Sequence, residues 1–220
     1  MILRLFVVWC ALCFLMVCSG ANANRQEEIS SCWPHELATW GDGTDKPVKQ
    51  RAFILVYRPT PNLPFNESTV RAVIERAALS WSECGLSIRM VDELGALAAP
   101  LSQRIVVRWM VRTQVGIAVA DVNRGELILN QKVFETLVGR RGQALAQETL
   151  QMTLSHELGH FLGMRAHSRR CVDVMSYYTS ASGEKCSLRD PTEFGRYLEY
   201  RHILPTACDI ARCKALNDVR

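Results

Sequence analysis

Residues 153–178 gather the side chains best able to do chemistry. They begin Thr-Leu-Ser-His156-Glu157-Leu-Gly-His160-Phe-Leu-Gly163-Met-Arg-Ala-His167. After five more residues comes Asp173-Val-Met175-Ser-Tyr177-Tyr178. Three of the chain's five histidines lie in this stretch. His156 and His160 are four apart, so a helix stacks them on one face where they can share one ion. Zinc suits that pair, because it takes neutral imidazole nitrogens in a tetrahedral site. Glu157 is offset from His156 by about a third of a turn, and can reach a water on the ion without ligating it. Gly163 lets the chain turn back, and His167 then follows closely enough to swing under the ion as third ligand. Asp173 is the alternative third ligand. Asp173-Val-Met175 offers a turn beneath the site. Three protein ligands plus one open position is the catalytic arrangement, whereas structural zinc sites close the fourth position with protein. The plainer reading of His156 and His160, a hydrogen-bonded pair on a partly buried face, accounts for none of these additions.

A long helix must carry the first two histidines. The pattern predicts one over residues 143–162: Leu150, Leu154, Leu158 and Phe161 form its core-facing stripe, and Gly163 stops it. Upstream, residues 53–57, 86–91, 104–111, 116–122 and 126–130 read as strands. Another helix is expected over residues 68–83, with the stripe Val70, Val73, Ile74, Ala77, Ala78 and Trp81. Asn66 or Ser68 would cap it; Asn66-Glu67-Ser68 is also an N-glycosylation sequon. Asp190-Pro191-Thr192-Glu193 reads as the capped start of a last helix ending near Pro205. Strand, helix, strands, long helix, loop and helix make an α+β domain with a mixed twisted sheet.

At 220 residues the chain has room for one domain, or one plus a short extension. Its 26 basic and 22 acidic residues give a net charge of only +4, without a basic block, which argues against a nucleic-acid partner. Arg4, the apolar run Leu5 to Val17 and Ala21-Asn22-Ala23 have the form of a signal peptide over residues 1–23. The run is too short to span a membrane, which needs about 20 apolar residues. A lipid anchor on Cys18 is the competing reading. Cleavage would leave a secreted or extracytoplasmic chain with Cys32, Cys84, Cys171, Cys186, Cys208 and Cys213, an even set that reads as disulfides. Proximity pairs Cys171 with Cys186 and Cys208 with Cys213, leaving Cys32 for Cys84. The expected organisation is an extended arm over 24–50, a catalytic domain over 51–204 and a cysteine-bearing tail over 205–220.

The segment His-Glu-Leu-Gly-His-Phe-Leu-Gly, a nearby histidine and a downstream methionine in a turn resemble the metzincin zinc endopeptidases, most of all their matrixin branch. The specific match covers residues 153–178, and the element order extends it loosely to about 51–204. The resemblance implies a metzincin-like fold with an active-site helix, a Met-turn and a C-terminal helix. It implies one Zn2+ on His156, His160 and His167, Glu157 as general base, and Met175 as the Met-turn methionine. Met175-Ser-Tyr177 is also similar to the astacin and serralysin branches, where the tyrosine approaches the zinc or the substrate oxyanion; Tyr177, or Tyr178 in its place, would do so here. The chain departs from the pattern at one point. The step from Gly163 to the third histidine is four residues instead of three, and Ala166 fills the family position. Glu193 is a further, thermolysin-like alternative as ligand. The expected function is that of a secreted zinc metalloendopeptidase. A peptide or protein substrate would lie as an added strand on the edge near residues 116–121. The alternative is a non-catalytic zinc-binding or interaction module on the same fold, for which Glu157 has no use.

Overall fold

The computed structural model describes residues 19–111 and 116–219. Most of the signal-peptide segment, the Cys18 anchor included, lies outside the described residues. The domain is α+β, built on a five-stranded mixed sheet. Its strands are β1 (Ala52–Arg58), β2 (Ser87–Val91), β3 (Arg104–Met110), β4 (Ala118–Asp121) and β5 (Glu126–Asn130), in the order β2-β1-β3-β5-β4. The first four positions run parallel, and only β4 is antiparallel, on β5, at the edge. β1 is apolar and buried on both faces, as a central parallel strand should be.

α1 (Ser19–Ser30) precedes the sheet, and α2 (Glu67–Ser80) links β1 to β2. Asn66 caps α2 by accepting from Thr69 N–H at 2.7 Å. The stripe Val70, Val73, Ile74, Ala77 and Ala78 is buried against α5 (Gln143–Phe161). Between them come α3 (Glu93–Leu97) and α4 (Gln131–Arg141). α5 packs on α2, α4 and β4 and is buried almost all round from Leu150 onward. The two long helices are pinned where Trp81 Nε1 donates to Ser155 O at 2.9 Å.

Several sequence-based expectations are corrected. The arm over 24–50 is not wholly extended: α1 runs to Ser30 and a 3-10 turn covers Pro34–Leu37. Tertiary contacts order this segment. Ile29 packs with Tyr200 and Cys171, and Arg25 donates to Tyr200 O at 2.8 Å. The last helix is not at 190–205, where only a 3-10 turn, Pro191–Arg196, forms. It is α6 (Ala207–Leu216), inside the stretch read as a tail. α6 starts at a capping box: Thr206 and Asp209 each accept the other's backbone N–H.

The disulfides are corrected too. Cys171 is bonded to Cys186, but Cys32 is bonded to Cys208 and Cys84 to Cys213. Cys208 and Cys213 are five apart on α6. On a helix that places them on different faces, so neither can reach the other. Each instead anchors α6 to a distant segment, across separations of 176 and 129 residues.

Candidate metal centre

The end of α5 presents His156 and His160 one turn apart. Their ring centroids are 5.0 Å apart, and His167 lies 5.1 Å from each. One nitrogen from each of the three rings lies within 4.8 Å of the others, close enough for a single ion. The remaining nitrogens are already engaged. His156 Nδ1–H donates to Val174 O at 2.7 Å, and His160 Nδ1–H to Met164 O at 2.7 Å. Carbonyl oxygens only accept, so these bonds place the ring proton on Nδ1 and leave Nε2 with a free lone pair. His167 Nδ1 lies 2.6 Å from Asp42 Oδ2, which fixes the same tautomer. Its Nε2 is buried without a partner.

Electrostatics keep all three rings neutral. Burial lowers His156 well below the usual imidazole range and takes His160 down to about 4. Burial also lowers His167, partly offset by Asp42. Neutral imidazoles with oriented Nδ1–H groups are the form that ligates metal. An orphaned buried Nε2 facing two others fits a bound ion better than a hydrogen-bonded trio, since no donor is left to satisfy it.

Glu157 points between α5 and β4, where its carboxyl accepts from Ala120 N–H. Burial pushes it up to about 7 against that bond. Tyr177 stacks on His167 with ring centroids 3.7 Å apart. Burial, then the charges of Glu157 and Asp42, raise its phenol. Tyr178 is placed elsewhere: its hydroxyl bonds Glu199 and accepts from Tyr200 N–H.

Asp173 is not among the groups around the three rings. It is buried 33 residues upstream of Thr206, whose hydroxyl lies 2.6 Å from Oδ1. Arg170 Nη1 reaches Oδ1 at 2.9 Å, and Ser168 Oγ donates to Oδ2 at 2.6 Å. Burial and the nearby Asp209 push Asp173 up to about 7. Its carboxyl is thus taken by Ser168, Arg170 and Thr206, while the N–H groups of Val174 and Met175 in the Met175 turn donate to Asp209. Glu193 is likewise taken, by Arg196 at 2.8 Å. Met175 is fully buried beneath α5. A Cβ on Gly159 would sit 2.3 Å from Met175 Sδ and 3.1 Å from Trp81, so the helix carries glycine between its two histidines to let the turn approach.

The sequence reading missed the arm's contribution. Asp42 Oδ1 accepts from His167 N–H at 2.9 Å, and Asp45 Oδ1 from Arg165 N–H and Ala166 N–H at 2.8 and 3.0 Å. Two carboxylates thus catch three successive amides of the turn that is one residue longer than expected. Arg212 of α6 holds Asp45 in turn, at 2.7 Å. A Cβ on Gly43 would lie 2.5 Å from Arg165 O, and one on Gly163 would lie 2.1 Å from Lys46 O, so both glycines allow the arm to sit this close. Burial opposes ionisation of Asp42, but the bonds from His167 outweigh it and hold the carboxyl below its ordinary value. The Gly41-Asp42-Gly43 signal was visible in sequence; its partner was not. A second grouping, Cys32, Glu36 and Cys208, is closed to metal by the Cys32–Cys208 bond.

No family model and no curated protein matches this chain. Among solved structures, it is similar to a chain of the GM1-bound form of the ECX AB5 holotoxin. The identity is 13%, the match covers 76% of this chain and 80% of that one, and the TM-score is 0.48. These findings correct the metzincin resemblance: neither that family nor its matrixin branch is what the comparisons return. The secreted zinc endopeptidase that the resemblance implied falls with it. What stands is the α+β fold, three disulfides of the kind formed in oxidising compartments, and a possible metal site of His156, His160 and His167.

Proposed function

We propose that the chain is a metal-dependent hydrolase of carbonyl compounds, with one divalent ion, zinc by its ligand chemistry, held by His156, His160 and His167. The observation that carries this is the convergence of three neutral imidazoles, each fixed through Nδ1, beside a buried carboxyl titrating near neutrality. When bound, such an ion polarises a carbonyl and lowers the pKa of water. Glu157 then moves the proton: a carboxyl near 7 accepts and releases it at comparable cost, and Ala120 N–H fixes its orientation. Tyr177, its phenol raised and its ring stacked on His167, would donate to an oxygen at the site; the stacking supports this role.

An extended chain is the substrate shape that β4 favours. Ile117 O accepts from Asn130 N–H, and Ala120 N–H turns the other way to Glu157. By the alternation of an antiparallel pair, Ala118 and Ala120 therefore face away from β5, toward the α5 side. A peptide or protein laid beside that edge would pair with it as an added strand.

The test measures bound metal and hydrolysis of an unfolded polypeptide and of an activated ester, for wild type and Glu157→Gln. One equivalent of metal in both, with hydrolysis lost only in the variant, is expected. Hydrolysis at wild-type rate in Glu157→Gln, or no metal in the wild type, overturns the reading.

A further inference from the structure

Tyr177 has little of its own to hold it at the site. Its side chain is 47% exposed, and among the described residues its hydroxyl has no hydrogen-bond partner. A single stacked pair of rings is a modest attraction. The place of the ring over His167 therefore rests on how the two backbones are held.

The neighbours of Tyr177 are fixed to other segments. Ser176 N–H donates to Asp173 O at 3.1 Å, and its hydroxyl to Ser168 O at 3.2 Å. On the other side, the Tyr178 hydroxyl accepts from Tyr200 N–H at 2.7 Å and Arg201 N–H at 3.2 Å. None of these bonds joins Tyr177 to His167. Trp40 of the arm is bonded to both members of the stack. Its backbone N–H donates to His167 O at 2.9 Å, and its indole Nε1–H donates to Tyr177 O at 3.3 Å.

The half-buried indole is itself held in place. Thr39 and Ser168 form an antiparallel bridge, and Arg169 N–H donates to Ala38 O at 3.0 Å, so the arm lies alongside the His167 segment as a short strand. The Arg169 guanidinium then covers the Trp40 ring, 4.8 Å from its centroid. Two residues further on, Asp42 reaches the His167 ring at 2.6 Å. One stretch of the arm thus meets the third histidine and its stacked tyrosine together.

We propose that Trp40 is a positioning residue of the metal site: it straps the Tyr177 backbone to the His167 backbone and so sets where the Tyr177 hydroxyl meets a substrate oxygen. Trp40 acts through Tyr177, and the inference rests on the reading of Tyr177 as a proton donor. Phenylalanine at this position keeps the main-chain N–H and a ring for Arg169 to cover, and deletes the indole donor.

The experiment is NMR of the histidine ring protons in the metal-free full chain, combined with hydrolysis of an activated ester by the zinc-loaded protein. A ring stacked 3.7 Å away displaces the His167 resonances upfield, and Tyr177→Leu identifies them by removing that displacement. Trp40→Phe should move the same resonances toward their Tyr177→Leu positions at an unchanged melting temperature. Arg169→Gln, a surface change that frees the indole, should move them the same way. Trp40→Phe should also lower kcat by roughly two- to tenfold at unchanged KM, the worth of one hydrogen bond, and cost nothing further in a Tyr177→Phe background. If neither variant moves the His167 resonances, the inference is overturned whatever the activity. An equal loss of kcat with and without the Tyr177 hydroxyl overturns it as well. Moved resonances in a protein whose wild type hydrolyses nothing would uphold the strap and refute the hydrolase reading instead.

Discussion

The metal centre has two halves built in different ways. His156, Glu157 and His160 belong to one helix, and their mutual placement is a property of about four consecutive residues. His167 stands in an irregular turn. Its ring is held by Asp42, 125 residues earlier, and its turn by Asp45 and by the Asp173–Arg170–Thr206 cluster. The first half is fixed as soon as α5 forms. The second exists only when the arm, the Met175 turn and α6 are all docked, and disulfides fasten two of these: Cys32–Cys208 joins the arm to α6, and Cys84–Cys213 joins α6 to the end of the α2 segment. Local geometry thus places two histidines of the possible metal site and the carboxyl proposed to carry the proton, while long-range packing places the third histidine.

That contrast can be broken at either half. The largest effect is expected at Glu157→Gln, which should cut hydrolysis by about 10²- to 10⁴-fold while leaving metal affinity nearly intact; loss of the metal instead would mean that Glu157 ligates. Next is Asp42→Asn. It should weaken metal binding by about 10- to 100-fold through the freed His167 ring. An altered cobalt absorption spectrum at an unchanged melting temperature is the readout that a merely structural role would not produce. Unchanged affinity would show that the arm does not orient the third ring.

Gly159→Ala tests the helical half without touching a histidine. Its methyl meets Met175 Sδ and Trp81, and overpacking there should cost about 1–3 kcal/mol in urea unfolding. A neutral result would show that Met175 moves aside freely.

The smallest effect is a pH dependence of the turn. Asp173 and Asp209 are both raised by burial, Asp173 to about 7. For a raised acid the folded state keeps its proton while the unfolded state ionises. The stabilisation is therefore full below about pH 4 and is lost as pH rises through about 7. The buried neutral histidines oppose this in the same window, because their folded pKa values are lowered. The quantity to measure is thus the stability difference between wild type and Asp209→Asn. It should shrink between pH 5 and pH 8, because the variant removes the repulsion that raises Asp173. A gap that widens with pH would contradict the assignment.

Much of the fold was legible. The five strands, α2 and α5 follow from period and from single start or stop signals such as Asn66, Gly85 and Gly163. α1, α3, α4 and α6 were not; for α1 and α6 the burial is decided by partners far along the chain, Cys171 and Tyr200 for the one, Asp45 and two cysteines for the other. The cysteine pairing failed for the same reason. Proximity in sequence favours Cys208 with Cys213, but helical geometry separates them and the fold offers each a distant partner. The family assignment failed differently. A stretch of twenty-six residues can share a motif without the comparisons returning that family.

The sequence by itself determined that His156 and His160 would share a helical face with Glu157 beside them, because the 3.6-residue period leaves no other arrangement once the helix forms. Tertiary structure alone decided that His167, and not Asp173, would face them. That outcome rests on which carboxylate could be desolvated beside Arg170 and which amides the arm could reach, and such choices between residues more than a hundred positions apart are made only in the packed chain.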